Sequence, residues 1–241
     1  MEMWFRCWPE AWRTAGKEWS MAFNLLDADR VWKYDLHVHT REVSPCGRMT
    51  IEEMGEAYER AGYDGIWLTN HLHRDFLEAT AGMSWQERAE TFLAPYRRAK
   101  PWDRRLSVGL GVELRFLSDA NDYLLYGVTE EMIFGEAERW VSMNLREFYG
   151  EYRDRLLIIQ AHPNRAGESS PADFHLLHGY EAVNSSPRHH NQNGLTQRSL
   201  CLHPWLIPTA GSDSHRPEDV GRTGILTDRP LAGNDDLTAL L

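Results

Sequence analysis

The sequence predicts an α/β fold in which short strands alternate with amphipathic helices, and three observations carry that prediction. From Trp32 onward, β-like runs and helical patterns follow one another, as they do in βα units around a parallel sheet. The strand-like runs end again and again in His, Glu or Asp, at the end where barrel enzymes gather their chemistry. No linker long enough to divide the chain interrupts the pattern, and 241 residues suit one α/β barrel.

Each element has its own reason. Residues 31–39 alternate in character and read as the first strand. Thr50-Ile-Glu-Glu is a capping box, after which Ile51, Met54, Tyr58 and Ala61 recur at helical spacing until Gly62. Residues 64–69 form the second strand. Ser84-Trp-Gln-Glu opens another helix, with Trp85, Ala89, Phe92, Leu93 and Tyr96 on one stripe; Pro95 is expected to kink or shorten it, and Pro101 to stop it. Strands follow at residues 106–112 and 123–128. One longer helix is expected from Ile133, Ala137, Trp140, Val141 and Phe148, leading into a strand at 156–161. Further strands are expected at 180–183, 207–210 and 224–227, giving seven or eight in all and a closed barrel.

Composition excludes several classes. With 42% hydrophobic and 26% charged residues the chain is neither disordered nor a disulfide-built miniprotein. Its net charge is −10 and its basic residues, nearly all Arg, are scattered, so duplex nucleic acid is not an expected partner. Cys7, Cys46 and Cys201 offer no close pair, which fits a reducing cytoplasm. The longest apolar run, residues 156–159, is far short of the roughly 20 residues that span a bilayer, so a soluble, cytoplasmic protein without a transmembrane segment is expected.

The division expected is an aromatic-rich N-terminal extension, residues 1–30, followed by the barrel, residues 31–241. Trp4, Trp8 and Trp12 recur every four residues, with Phe5, Trp19 and Phe23 nearby, as on one helical face. Glu2, Arg6, Glu10 and Arg13 rule out a signal-peptide core. Three readings stand: an accessory helix packed on the barrel, a membrane-surface or partner helix, or residues upstream of a start at Met21.

Chemistry begins at Asp35-Leu-His-Val-His-Thr. Residues two apart on a strand project to the same face, so His37 and His39 can share a cation while Leu36 and Val38 face away. Alone, the pair equally suits polar residues displayed to solvent. Its weight comes from later strand ends: His71 after Ile66-Trp-Leu-Thr-Asn, Glu113 after Val108-Gly-Leu-Gly-Val, and His162 after Leu157-Ile-Ile-Gln-Ala. Asp213 and His215 close the series in Thr209-Ala-Gly-Ser-Asp-Ser-His. Glu113 alone equally suits a pair with Arg115, and Asp213 alone equally suits a cap for the segment after Pro217. The ordered set points to a metal site.

These motifs resemble those of the polymerase and histidinol phosphatase (PHP) domain family, over about residues 33–216. The resemblance implies a distorted seven-stranded (β/α) barrel, two or three divalent cations and phosphoester hydrolysis. It implies that His37, His39, Glu113 and Asp213 hold one cation, that Glu113 bridges to a second held also by His162, and that His71 and His215 serve a third. Mixed imidazole and carboxylate donors suit zinc, manganese or iron. The chain departs from the family pattern twice. Ser44-Pro-Cys-Gly stands where many members supply another ligand, and Asn121-Asp-Tyr offers no histidine, so Cys46 and Asp122 are the candidate replacements.

A water between two such cations would lose its proton near neutral pH and attack phosphorus, with Asp213 or His215 relaying a proton to the leaving group. Arg41, Arg48, Arg115, Arg165 and Arg188 neighbour the ligand loops; Arg165 is the first choice for contacting phosphate and Arg188 a second. His189 and His190 are expected to face solvent. The expected substrate is a small phosphorylated molecule. An amidohydrolase acting on amides or lactones is the rival reading, and a non-catalytic binding protein with the same fold is another. No polymerase region accompanies the domain, so proofreading within this sequence is not expected.

Overall fold

The computed structural model describes residues 30–100 and 106–241, so the aromatic leader up to residue 29, with Cys7, and the expected stop at Pro101 lie outside the described residues. Its strands form two sheets. In the first, β1 (Trp32–Val38), β2 (Gly65–Leu68) and β4 (Ser107–Leu110) are parallel, and β10 (Ile225–Thr227) lies antiparallel on the outer side of β1. The second runs in the order β3 (His71–Leu72), β5 (Val112–Leu114), β6 (Tyr123–Tyr126), β7 (Leu157–Gln160), β8 (Gly179–Asn184), β9 (Ile207–Gly211).

The α/β class and the parallel pairing expected from the sequence are present, with two differences. First, ten strands are described rather than seven or eight, in two hydrogen-bonded sheets rather than one ring. The expected run 106–112 divides at Gly111, giving β4 to one sheet and β5 to the other, and the run after β2 resumes as β3. Second, β6 is antiparallel to both neighbours. Residues 115–122 between β5 and β6 are too few for a crossover helix, which a parallel return requires. The ends of β1 and β9 meet through a parallel bridge, Val38 to Ser214: His39 N donates to Ser214 O (3.0 Å) and Ser214 N to His37 O (3.2 Å).

The helices show the same local logic. α1 (Ile51–Arg60) begins on the Thr50–Glu53 capping box and α3 (Trp85–Ala99) on the Ser84–Glu87 one; the short α2 (Arg74–Ala79) lies between them. α3 runs through Pro95 to Ala99 instead of stopping short, because burial of Phe92, Leu93 and Ala99 outweighs one missing N–H bond. The single helix expected over 133–148 is three: α4 (Glu130–Gly135), α5 (Ala137–Trp140) and α6 (Leu145–Tyr152). Asn144 accepts from Glu147 N and Glu147 bonds back, a capping box that starts a new helix where the apolar spacing alone reads as continuous. α7 (Asn193–Leu202) and α8 (Asn234–Leu240) complete the set.

Three buried apolar clusters among the described residues hold the sheets. Under α5 and α6, Trp140, Phe148 and Tyr152 are fully buried, with ring centroids 4.6 to 5.7 Å apart, each such pair contributing about 0.5–1.5 kcal/mol beyond burial. Beneath the first sheet lies Trp67, whose Nε1 donates to Asn234 Oδ1 (2.8 Å). Its neighbour on β4 must be Gly109, since a Cβ there would come within 2.3 Å of the indole. No helix among the described residues is long and apolar enough to cross a membrane. With apolar side chains committed outward and below, the polar strand ends are left to face one another.

Candidate metal centre

The strand period places the first two histidines. On β1, Asp35 and His37 lie on one face and His39 continues it, so the rings of His37 and His39 sit 4.9 Å apart while Leu36 and Val38 are buried in apolar clusters. Asp35 anchors the motif from beneath: Oδ1 accepts from His37 N (3.1 Å) and Ser212 N (3.0 Å), and Oδ2 from Tyr58 (2.6 Å). Burial pushes the Asp35 carboxyl up to about 6, against the opposing pull of Ser212 and Tyr58. Gly211 lets β9 approach; a Cβ there would lie 2.2 Å from His37 Cβ.

Glu113, at the middle of β5, is the hub. Its Oε1 lies 3.3 Å from His37 Nε2 and 3.2 Å from His162 Nε2; its Oε2 lies 3.4 Å from His39 Nε2 and 2.9 Å from His71 Nε2. Asp213 Oδ1 faces His37 (3.8 Å), His39 (3.4 Å) and His215 (3.3 Å). Thus all seven residues read from the sequence as ligands, His37, His39, His71, Glu113, His162, Asp213 and His215, converge on one place.

The donor set fits divalent cations. Zn–N bonds of about 2.0–2.1 Å at tetrahedral angles set donor atoms roughly 3.3 Å apart, close to the spacings around Glu113. His37 Nε2, His39 Nε2, His73 Nε2 and His162 Nδ1 are buried without a hydrogen-bond partner, a costly state for polar atoms that have no further role. Among the described residues, five groups of three, including His37, His39 and Glu113, bring donor atoms within 4.8 Å of one another.

The electrostatics are those of a compressed, mixed cluster. Burial opposes ionisation of Glu113 and Asp213, but His37 and the neighbouring imidazoles outweigh it and hold both carboxyls well below their usual range. For His37, burial favours the neutral ring, yet Glu181, Glu113 and Asp213 raise its pKa well above normal. His39 goes the other way, lowered by burial and by the nearby His215 and His71.

Backbone strain also collects here. His162 (φ 29°) and Asp213 (φ 56°) occupy the left-handed region, which costs about 1–3 kcal/mol each. Bonds to the backbone hold them there: His162 N donates to Glu181 Oε2 (2.9 Å), Ser169 Oγ to His162 O (2.6 Å), and Arg188 to Asp213 O (3.3 Å).

The structure adds His73 and Glu181, which the sequence reading passes over, and places Asp122 and Cys46, its candidate replacements, at the centre. His73 is buried, stacked on His71 at 4.2 Å, and its Nε2 lies 3.2 Å from Asp122 Oδ1. Its signal is plain in retrospect: His71-Leu-His73 repeats the spacing of His37-Val-His39. Asp122 joins the centre, grouped with Glu113 and His162, while Arg115 grips it through two bonds (2.7 and 2.6 Å). Cys46 stands at the mouth with Sγ 3.7 Å from His71 Nδ1. Its thiol is lowered to about 6: burial raises it, but contacts with His215 and His71 prevail. Glu181, a carboxylate in the middle of a buried strand, also goes unread; it holds His37 Nδ1 at 2.8 Å.

A cavity of about 310 Å³ opens over the cluster, lined by Arg115, Arg165, Arg188, Arg216, His189 and the ligand side chains. Arg165 is buried, its guanidinium on Asp213, Asn191 and Asn184; Arg188 is bound to Asp219 (2.6 and 2.7 Å). Arg216 has the loosest carboxylate neighbour of the four, Glu218 at 3.9 Å. His189 contacts Glu168 (2.8 Å), and Arg41 and Arg48 do not line the cavity.

Residues 206–241, which carry Asp213 and His215, match the PHP-associated family. A solved two-domain protein from Bacteroides vulgatus, containing a predicted PHP-like metal-dependent phosphoesterase, aligns with a TM-score of 0.55 and 18% identity over 79% of this chain. The fold is thus similar to that of a PHP-like protein, and the C-terminal segment to PHP-associated sequences. The chain spans 55% of the length of that two-domain structure. Two further solved structures each align with a TM-score of 0.48 and 16% identity over 86% of this chain. One is provisionally called a metal-dependent phosphoesterase, from Bifidobacterium adolescentis, 95% covered; the other is an amidohydrolase from Chromobacterium violaceum with sulfate and no metal, 96% covered. No curated protein is significantly similar in sequence. The PHP resemblance read from the ligand motifs is thus supported by fold and by the C-terminal segment.

Proposed function

We propose that the protein is a metal-dependent phosphoesterase acting on a small phosphorylated substrate. One observation carries the reading: both oxygens of Glu113 face imidazole nitrogens, four in all, which is the arrangement of a carboxylate that bridges cations. His37, His39, Glu113 and Asp213 would hold one zinc, manganese or iron ion; Glu113, Asp122 and His162 a second; His71, with Cys46 beside it, a third. When bound, such ions polarise phosphoryl oxygens and make water a nucleophile near neutral pH.

The remaining work falls to side chains. Arg216 and Arg188 at the cavity wall meet phosphoryl oxygens, the geometry for which guanidinium is suited. Arg165 holds Asp213 in place. His215 keeps Nδ1 on Asp213 O (2.9 Å) and hands a proton to the leaving oxygen from its other nitrogen. A cavity of about 310 Å³ suits a small ester.

The test is metal content of the purified protein together with a panel of aryl phosphates, nucleotides, histidinol phosphate, N-acyl amino acids and lactones, each with added manganese or zinc. Phosphate release with at least one ion per chain is expected. Turnover of amides or lactones but not phosphates would transfer the protein to the amidohydrolase class; less than one ion and no turnover would make it a binding protein.

A further inference from the structure

Glu181 lies on β8 between β7 and β9, with no solvent exposure. A buried carboxylate is tolerated only where its lone pairs are used, and the two oxygens of Glu181 are used differently. Oε1 meets one partner, His37 Nδ1, at 2.8 Å. Oε2 accepts from two groups, His162 N (2.9 Å) and Asn184 Nδ2 (2.9 Å). Both are donors by necessity. The first is a backbone amide; the second is oriented because Asn184 Oδ1 already accepts from Ser186 N (3.0 Å).

A carboxylate oxygen accepts, so the His37 nitrogen that faces it, Nδ1, carries a proton, and Nε2 is the nitrogen whose lone pair is left for a cation. That nitrogen is buried, lacks a hydrogen-bond partner, and faces Glu113 and Asp213. The other oxygen grips the backbone of His162 where φ is 29°.

We propose that Glu181 is a positioning residue for the metal centre: through one oxygen it sets which nitrogen of His37 is free to bind a cation, and through the other it holds the strained backbone of His162. This rests on the metal-centre reading above, and outer carboxylates that orient ligating histidines typically matter 10–100-fold in metal affinity.

The structure makes Glu181→Gln an unusually sharp test. The two obligate donors at Oε2 compel the glutamine carbonyl to take that place, which turns its NH₂ toward His37 Nδ1. An NH₂ only donates, so His37 must accept there and move its own proton to Nε2. The side chain keeps its volume while one ligand is blocked.

The experiment is Zn²⁺ titration of wild type, Glu181→Gln, His37→Asn and the double variant against a competing chelator, with ¹⁵N-histidine NMR of the zinc-loaded proteins. Wild type is expected to show the His37 proton on Nδ1, and Glu181→Gln to bind zinc about 10–100-fold more weakly with that signal gone. In the His37→Asn background the second substitution should add much less than this, which a purely structural role would not produce. Unchanged zinc affinity in a folded Glu181→Gln protein, or a wild-type His37 protonated on Nε2, overturns the proposal while leaving the metal centre intact. A wild-type chain that binds no zinc overturns both. If Glu181→Gln does not fold, the wild-type spectrum decides.

Discussion

Arg165 donates its guanidinium to Asp213, whose other oxygen faces His37 and His39. The arginine is buried and is further held by Asn191 (2.8 Å). It therefore holds the Asp213 carboxylate while also lining the cavity. Breaking a buried pair strands the remaining charge, so Arg165→Met should cost about 3 kcal/mol in urea unfolding. A variant within about 0.5 kcal/mol of wild type would mean that Asp213 is already balanced by the imidazoles.

His215 is assigned the proton for the leaving oxygen. His215→Asn should lower kcat by about 10²–10⁴ for alkyl phosphates and much less for nitrophenyl phosphate, whose leaving group needs no proton. Equal losses on both substrates would point to a ligand role alone.

Cys46 lies beside His71 at the mouth of the centre. If its sulfur ligates, the cobalt-loaded protein shows a sulfur-to-cobalt charge-transfer band in the near ultraviolet, and Cys46→Ser abolishes it. A wild-type spectrum without that band removes the thiol from the ligand set.

Away from the centre, His178 supplies a pH dependence of stability. Its Nδ1 accepts from Ile158 N (3.0 Å), and burial lowers its pKa despite a bond to the Arg153 carbonyl. The folded state binds this proton more weakly than the unfolded state does. The stabilisation is therefore full above about pH 6.5 and fades as pH falls through the lowered value. Between about pH 7.5 and about pH 5, wild type should lose more stability than His178→Gln, which can keep both bonds without titrating. Parallel urea midpoints for the two proteins would refute this.

The candidate ligands were legible from local features: Glu113, His162 and Asp213 each come directly after or close behind a short apolar run, and His37 pairs with His39 two residues on. His73 escaped because β2 appeared to finish at His71, whereas the chain starts a new strand there and the alternation carries on. Glu181 escaped for the opposite reason, sitting inside a strand instead of at its end. The partners of Arg165 and Arg188 are 48 and 31 residues away in sequence, so nothing near either arginine shows that a carboxylate claims it. The split of the barrel pattern into two sheets turns on single breaks, at Gly111 and after Leu68, that hydrophobic patterning does not register.

The bridge between Val38 and Ser214 joins the first described strand to the loop after the ninth. Ligands from residue 37 to residue 215 thus meet only when both extremes of the fold have docked. A chain halted on the ribosome before β9 has its paired histidines but no Asp213 to complete them. Cation binding at a site that includes Asp213 would then report completed folding, and the free energy it supplied would stabilise the finished protein.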